Sequence, residues 1–305
     1  MNDPQQPVCP LCGSAHVLLF TVAKDYQNLH DEKAYQAYSC VPCQLLFQFP
    51  FPKAEDFDAI YPADYYAHVN DEALPFLTRL LASFLQGEKK LLSFIRPSLF
   101  PYYDMIKQSE TVLDIGCGKG LFLDVLKAQG KETYGLEPDA HAVKLLAEKG
   151  HHAMQGDALS ANYPDHSFDL VTMFQVFEHI EKPAEALREI YRIIKPGGYF
   201  VLETPNSQSK LAKNTHNWRS LELPRHVILH SPQSVNKLLQ HEGFQPTIFI
   251  RVSPTDIKET FYLKKNITTP LVKKAMALFL LPYIFYHYLF NTSEGSLLIA
   301  IAKKP

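Results

Sequence analysis

The sequence predicts an α/β protein: a doubly wound, mostly parallel sheet with a small metal-binding module ahead of it and helical insertions within it. Three observations carry this. From residue 111 onward, short apolar runs alternate with amphipathic segments of helical period. A loop rich in glycine, VLDIGCGKG (112–120), follows the first of those runs. Four of the five cysteines form two C-x-x-C pairs near the N-terminus, Cys9/Cys12 and Cys40/Cys43.

The elements follow in order. TVLDI (111–115) is a short apolar run ended by glycine, so a buried strand. LFLDVLKAQ (121–129) is a helix stopped by Gly130. TYGLE (133–137) is the next strand. Asp139 caps the helix AHAVKLLAEK, which Gly150 ends. HHAMQ (151–155) reads as a third, weaker strand, with His151 and His152 expected at the surface. DLVTMF (169–174) is a fourth. Pro183 opens a helix with Leu187, Ile190, Tyr191 and Ile194 on one stripe, and KPGG (195–198) is expected to stop it. YFVLET (199–204) is a fifth strand. A loop-rich stretch (205–231), a helix (232–242) and strands near 247–252 and 296–302 complete the chain. Strands alternating with helices imply right-handed crossovers and a parallel sheet.

Domain boundaries follow from the same pattern. Residues 1–52 hold the cysteine module and end in the proline-rich FQFPFPK. Residues 53–108 read as a helical connector or cap, because LPFLTRLLASFL (74–85) and EKKLLSFI (88–95) carry i, i+3, i+4 apolar spacing. Residues 109–305 form the main domain, with substrate-side insertions at about 205–231 and 253–294.

Hydrophobic content of 46% with 20% charged residues describes an ordinary globular chain. A formal net charge of −2 gives no electrostatic reason to expect a nucleic acid partner. MNDPQQPVCP has neither a basic start nor an apolar run, so no secretory signal is expected. No uncharged stretch reaches the roughly 20 residues that cross a bilayer. The expected location is cytoplasmic. AMALFLLPYIFYHYLF (275–290) follows Lys264, Lys265, Lys273 and Lys274 and is broken by Pro282. The bland expectation is a lid or dimer contact. The alternative is a peripheral contact with a bilayer interface, which would suit a lipid-linked acceptor.

In an open parallel sheet, ligands bind beyond the carboxyl ends of the strands, where strand order reverses. The dinucleotide fingerprint there is G-x-G-x-x-G. Here Gly116, Gly118 and Gly120 give G-x-G-x-G, and Asp114 stands two residues ahead. A carboxylate at that place repels a pyrophosphate and attracts an ammonium or sulfonium. Glu137, at the end of the second strand, can accept from both hydroxyls of a ribose. Asp157 can accept from an exocyclic adenine amine. Together these describe a nucleoside with a cationic far end and no phosphate, which S-adenosylmethionine fits.

VLDIGCGKG, YGLEPD, QGDA, FDLVTMFQVFEHI, RIIKPGG and VLETPN resemble the successive motifs of class I S-adenosylmethionine-dependent methyltransferases over about residues 105–252. The resemblance implies a Rossmann-like fold. It implies that Asp114, Gly116, Gly118 and Gly120 hold the donor's methionine part, that Glu137 takes the ribose, and that Asp157 with Ala158 takes the adenine. Phe174 and Gln175 would border the sulfonium. CPLCGS, CVPCQLLF, IYPADYY and WRSLELPRH resemble a bacterial subgroup with an N-terminal zinc-binding segment, often associated with sugar, polysaccharide or secondary-metabolite methylation.

Two C-x-x-C pairs offer four thiolates for a tetrahedral Zn²⁺ at Cys9, Cys12, Cys40 and Cys43. Such a site has no open position, so the ion would be structural. The aromatic exit (Phe47, Phe49, Phe51, Tyr61, Tyr65, Tyr66) is expected to dock the module, with stacking on a sugar or base as the alternative. Cys117 is expected to be a small filler.

A hydroxyl or carbon acceptor must lose a proton, and histidine is the usual base near neutral pH. The candidates are His226, His179 and His230, with His226 favoured. Arg225 could bind an anionic acceptor or pair with an acid. Quinone-biosynthetic O-methyltransferases resemble the chain at the fourth strand, where Glu-x-x-Glu-His can bind a divalent cation. Gln175 replaces the first carboxylate here, and amide is a poorer ligand, so a catalytic metal is not expected. The lack of an Asn-Pro-Pro-Tyr-type motif argues against methylation of a base amine. The expected activity is methyl transfer to oxygen or carbon of a small molecule, a sugar or an envelope or secondary-metabolite precursor. A lipid-linked or prenylated aromatic acceptor is the alternative. An RNA methyltransferase and a non-catalytic nucleoside-binding protein are less favoured.

Overall fold

Apolar residues alternate in direction along each central strand, and this forces a three-layer arrangement. In β7 (Phe168–Phe174), Val171 and Met173 pack to one side and Leu170 and Phe174 to the other. In β8 (Ile194–Pro205), Phe200 and Leu202 oppose Val201 in the same way. One side is covered by α5 (Pro183–Ile193) and α7 (Pro232–His241), the other by α2 (Tyr103–Gln108) and α3 (Leu121–Ala128). The computed structural model describes residues 6–26, 33–61, 103–160, 162–215, 218–251, 253, 260–261, 269 and 295–305. The stretches 74–85, 88–95 and 275–290 lie outside them, as does most of the 253–294 insertion.

The large sheet has seven strands in the order β10-β11-β8-β7-β4-β5-β6. β4 (Thr111–Ile115), β5 (Glu132–Glu137), β6 (His152–Gln155), β7 and β8 are parallel. β11 (Leu297–Lys303) runs antiparallel between β8 and β10 (Gln245–Arg251). The chain runs outward from β4 through β5 and β6, then returns to β7 on the other side. The order therefore reverses at β4/β7. The expected helix stop at KPGG is corrected. α5 ends at Ile193, and β8 begins at Ile194. KPGG forms an irregularity inside β8, opposite Asp169, where a Cβ on Gly198 would lie 2.9 Å from the Asp169 carbonyl.

His151 is buried, not on the surface as expected. Its Nδ1 lies 2.8 Å from Thr133 Oγ1 and its Nε2 3.0 Å from Asp124 Oδ1. Asp124, one turn into α3, supplies the partner that makes burial tolerable. His152 is exposed, as expected.

The second sheet has the order β1-β2-β3-β9, all antiparallel. β1 (Val17–Lys24), β2 (Ala34–Cys40) and β3 (Leu46–Gln48) come from the cysteine module. β9 (Ile228–Leu229) comes from the stretch read as loop. That stretch also contains α6 (Lys210–Thr215), and residues 218 and 220–231 are buried. Trp218 meets Phe20 edge-on, with ring centroids 6.3 Å apart. The Arg225 guanidinium pairs with Asp25 at 2.8 Å, both side chains inaccessible. Tyr26 donates to the Arg219 carbonyl at 3.0 Å. Among the described residues no helix is long and apolar enough to cross a membrane.

Removing one member of a buried ion pair leaves the other charged and uncompensated. Asp25→Ala is therefore expected to lower unfolding free energy by about 3–5 kcal/mol in denaturant titrations. Asp25→Asn, which keeps an acceptor for Arg225, should cost less.

Candidate functional site

The carboxyl edge of β4 carries the glycine loop. Gly116, Gly118 and Gly120 all have left-handed φ, at +68°, +51° and +76°. A Cβ on Gly116 would lie 2.3 Å from Val176 Cγ2, and one on Gly120 would lie 2.3 Å from Leu146 Cδ2. These two glycines let the loop settle against its neighbours. Gly118 has nothing within 4 Å of such a position, so its side of the loop is open.

Three carboxylates stand on this edge. Asp114 is buried and accepts from Thr172 Oγ1 at 2.7 Å. Glu137 is buried and accepts from the Gly118 amide at 2.9 Å. Asp157 is exposed, and its Oδ1 accepts from the amides of Leu159 and Ser160 at 2.9 and 3.0 Å, which shapes the turn around buried Ala158. Phe174 is buried and meets Phe122 edge-on at 5.2 Å. Gln175 is left-handed (φ 57°), and its amide donates to the Glu203 carbonyl at 2.8 Å. A brace not read from the sequence lies behind the loop: Lys149 Nζ reaches the Lys119 carbonyl at 2.5 Å and Asp124 Oδ2 at 2.7 Å.

A buried polar cluster follows directly. β7 leads through Val176, which touches the glycine loop, into a 3₁₀ turn at Phe177–His179. His179 Nδ1 lies 3.0 Å from the Arg225 carbonyl and 3.0 Å from Tyr61 Oη. His226 Nδ1 lies 2.7 Å from the Ser220 carbonyl. A carbonyl only accepts, so each Nδ1 carries the proton and each Nε2 keeps its lone pair. The two rings are 4.8 Å apart and nearly perpendicular. His226 Nε2 is 3.9 Å from Glu178 Oε1 and 3.9 Å from Glu222 Oε2. Glu178 is inaccessible; its Oε2 accepts from Thr204 Oγ1 at 2.9 Å, and its Oε1 has no hydrogen-bond partner. Glu178, His179 and His226 bring ligand atoms within 4.8 Å of one another, close enough to share a proton or a cation.

Burial sets the charge of this cluster. It pushes the Glu178 carboxyl up to about 8, helped by Glu222 and Glu203. It pushes His179 down to about 3, helped by His226, and His226 down to about 4. His230 sits outside the cluster, buried and stacked on Phe177 at 4.6 Å, and burial holds it down at about 3. Arg225, considered for an anionic acceptor, pairs with Asp25. The sequence reading weighed Glu178 only as part of a metal-binding arrangement and missed Glu222 and Thr204.

The cysteines converge. Cys9 and Cys43 sulfurs are 3.5 Å apart, as are those of Cys12 and Cys40, and all four thiols are free. A tetrahedron with zinc–sulfur bonds of about 2.3 Å sets sulfurs roughly 3.8 Å apart. Two matching turns present them: the Gly13 amide donates to the Cys9 carbonyl and the Gln44 amide to the Cys40 carbonyl, both at 2.9 Å. Gly13 and Gln44 share left-handed φ values of 68° and 59°. Burial pushes the Cys9 and Cys43 thiols up, and the backbone amides of Leu11 and Cys12 at the Cys9 sulfur and of Leu45 at the Cys43 sulfur pull the other way. Amides directed at sulfur favour thiolates, the form a metal binds. The donor set fits a tetrahedral zinc ion.

The buried cluster predicts a stability maximum. Unfolded histidine takes a proton near 6.5, whereas His179, His226 and His230 resist to about 3–4 when folded. Below 6.5 the unfolded chain binds more protons, and stability falls with pH. Glu178 acts oppositely: folded, it keeps its proton to about 8, against 4.5 unfolded. Its contribution is lost as pH rises through that window. Each group contributes a slope of about 1.4 kcal/mol per pH unit. Denaturation at pH 5, 6.5 and 8 should show the greatest stability near 6.5, and Glu178→Gln should flatten the alkaline limb.

A model of a methyltransferase domain family matches residues 81–247. The chain is 28% identical over 165 residues to a ubiquinone biosynthesis O-methyltransferase of Alkalilimnicola ehrlichii, covering 46% of this chain and 66% of that protein. It is 26% identical over 194 residues to the like-named protein of Paracidovorax citrulli, covering 53% and 78%. Against that of Bradyrhizobium sp. it is 31% identical over 133 residues, covering 37% and 53%. The matched segments thus span from about half to about three quarters of those relatives' length. A crystal structure of an S-adenosylmethionine-dependent methyltransferase from Archaeoglobus fulgidus superposes with a TM-score of 0.50 at 24% identity, covering 74% of this chain and 98% of that one. That likeness shows the shared fold. The chain belongs to the methyltransferase domain family, in its class I, S-adenosylmethionine-dependent form.

Proposed function

We propose that this protein transfers a methyl group from S-adenosylmethionine to a hydroxyl oxygen of a small molecule. The observation that carries the reading is His226, whose Nδ1 is held by a carbonyl and whose Nε2 lies 3.9 Å from Glu178 and from Glu222, against the turn that follows β7. The donor supplies a methyl on a sulfonium and leaves as a neutral thioether, so no acid is needed. Asp114 and the glycine loop hold its cationic end, Glu137 its ribose, and Asp157 with Ala158 its adenine. Phe174 and Gln175 border the sulfonium.

The protein's task is to align the acceptor and take one proton. Ser220 fixes the His226 tautomer, so Nε2 is ready to receive the hydroxyl proton. The imidazolium then formed lies 3.9 Å from the Glu222 carboxylate, whose charge favours it, while Glu178, 3.9 Å away on its other contact, keeps its proton up to about 8. His179 has the same locked tautomer and is the second candidate base. His230, stacked beneath Phe177, has the weakest claim. Zinc at Cys9, Cys12, Cys40 and Cys43 is structural in this reading.

The acceptor is a sugar or an envelope or secondary-metabolite precursor. A phenolic or lipid-linked hydroxyl is the second reading, favoured by relatives named as ubiquinone biosynthesis O-methyltransferases. The screen uses radiolabelled donor against nucleotide sugars and prenyl phenols. Methylation at oxygen is expected, and label found on nitrogen would contradict the reading.

His226→Asn is expected to lower turnover by about 10²–10⁴-fold with S-adenosylhomocysteine affinity unchanged. Full turnover in both His226→Asn and His179→Asn would remove the base assignment. Asp114→Asn should weaken donor binding about tenfold or more in calorimetry. Metal analysis of the purified chain should find one zinc, released by thiol-reactive reagent.

A further inference from the structure

The cysteine cluster and the candidate base are joined through a single short strand. β9 pairs with β3, Phe47 opposite Ile228 and Leu46 opposite Leu229. β3 begins three residues after Cys43. The Gln48 amide donates to the Val227 carbonyl at 2.9 Å, and the Val227 amide donates to the Glu178 carbonyl at 2.9 Å. Val227 is thus strapped between the N-terminal module and the turn that carries Glu178 and His179. Its side chain and that of Ile228 share one buried cluster with Cys9, Cys40, Cys43, Leu45 and Phe47. His226 immediately precedes Val227. The same module reaches the loop at two more places, through Asp25 to Arg225 and through Tyr26 to Arg219 and Glu222. The glycine loop is held differently. Among the described residues it rests on Leu136, Glu137, Val176, Leu146 and Lys149 of the main domain.

We infer that the metal-loaded cysteine cluster is a positioning element for the transfer step, setting the placement of His226 while donor binding stays independent of it. This rests on the proposed role of His226. The physical chain is short. One ion clamps two turns, those turns fix Leu45–Gln48, and that strand is the pairing partner of β9. A two-residue strand does not persist without its partner. When the clamp opens, Val227 and Ile228 lose the cluster they pack in, and His226 Nδ1 loses its alignment with the Ser220 carbonyl. The imidazole then samples both tautomers, and Nε2 no longer stands ready among the carboxylates.

The experiment uses the full chain, zinc-loaded and chelator-stripped, together with a Val227→Ala/Ile228→Ala variant that leaves every cysteine in place. Three quantities are read: amide exchange at 226–229 and at 111–116, the His226 ring tautomer from long-range ¹H–¹⁵N spectra, and the dissociation constant of S-adenosylhomocysteine. Stripping is expected to speed exchange at 227–229 by about 100-fold while 111–116 stays protected. His226 should pass from the Nδ1–H form to a mixture, and S-adenosylhomocysteine affinity should shift by less than about threefold. The double variant should do the same with zinc retained, and Ile228→Val should restore the loaded spectrum. Unchanged exchange and an unchanged tautomer, in the stripped chain or in the variant, overturn the inference. So does donor affinity falling in step with exchange, which would make the module a brace for the whole fold. If stripping aggregates the chain, the double variant decides. A failure of the base assignment is separate: His226→Asn would then turn over normally while the exchange and tautomer results still test the coupling.

Discussion

A carboxylate buried at the point where strand order reverses constrains the rest of this molecule. Asp114 ends the central strand, is nearly inaccessible, and is fixed across the β4/β7 boundary by the Thr172 hydroxyl at 2.7 Å. Burying an anion is costly unless opposite charge or hydrogen bonds answer it. At a ligand edge this selects for a cationic guest and against a phosphate. The other features fall in line around that choice. The glycines settle the loop against Val176 and Leu146, Glu137 tethers it through Gly118, and Lys149 holds it from behind.

The polar cluster that follows β7 is built on a different principle. It has Glu178 and His226 buried and His179 half-buried, and burial keeps the imidazoles neutral and the Glu178 carboxyl protonated up to about 8. Burial keeps the His226 imidazole in the form that can accept a proton but also lowers its proton affinity, so its work as a base depends on the Glu222 carboxylate 3.9 Å from Nε2. Such a cluster needs walls. The N-terminal module provides one through β9 and the Asp25–Arg225 pair, which helps explain why so small a module is joined to this fold.

Much of the main domain was legible because its signals are local. The apolar runs of β4, β7 and β8 pack on both faces, as continuous hydrophobic strands in a parallel sheet should. Asp139 caps its helix by accepting from the Ala142 amide at 2.6 Å, as its side chain suggested. The C-x-x-C spacing brought four sulfurs together. What escaped the sequence depends on long-range partners. β9 is two residues long and shows no period of its own; only Phe47 and Leu46 make it a strand. His151 reads as polar surface until Thr133 and Asp124 are placed beside it. Arg225 reads equally as an anion binder and as half of an ion pair until Asp25, 200 residues earlier, arrives against it. KPGG reads as a helix stop, yet inside β8 Gly198 serves close approach to the Asp169 carbonyl and Gly197 takes a left-handed φ. His226 was chosen as a base on sequence position, but its locked tautomer and facing carboxylates are visible only in three dimensions.

The central claim is that the carboxyl edge at Asp114 and the glycine loop takes a nucleoside with a cationic end. Calorimetric titration of the purified, zinc-loaded chain with S-adenosylhomocysteine and, separately, with NAD tests it most directly. The account predicts saturable binding of one S-adenosylhomocysteine per chain and no heat from NAD. Uptake of NAD with indifference to the adenosyl amino acid would contradict it.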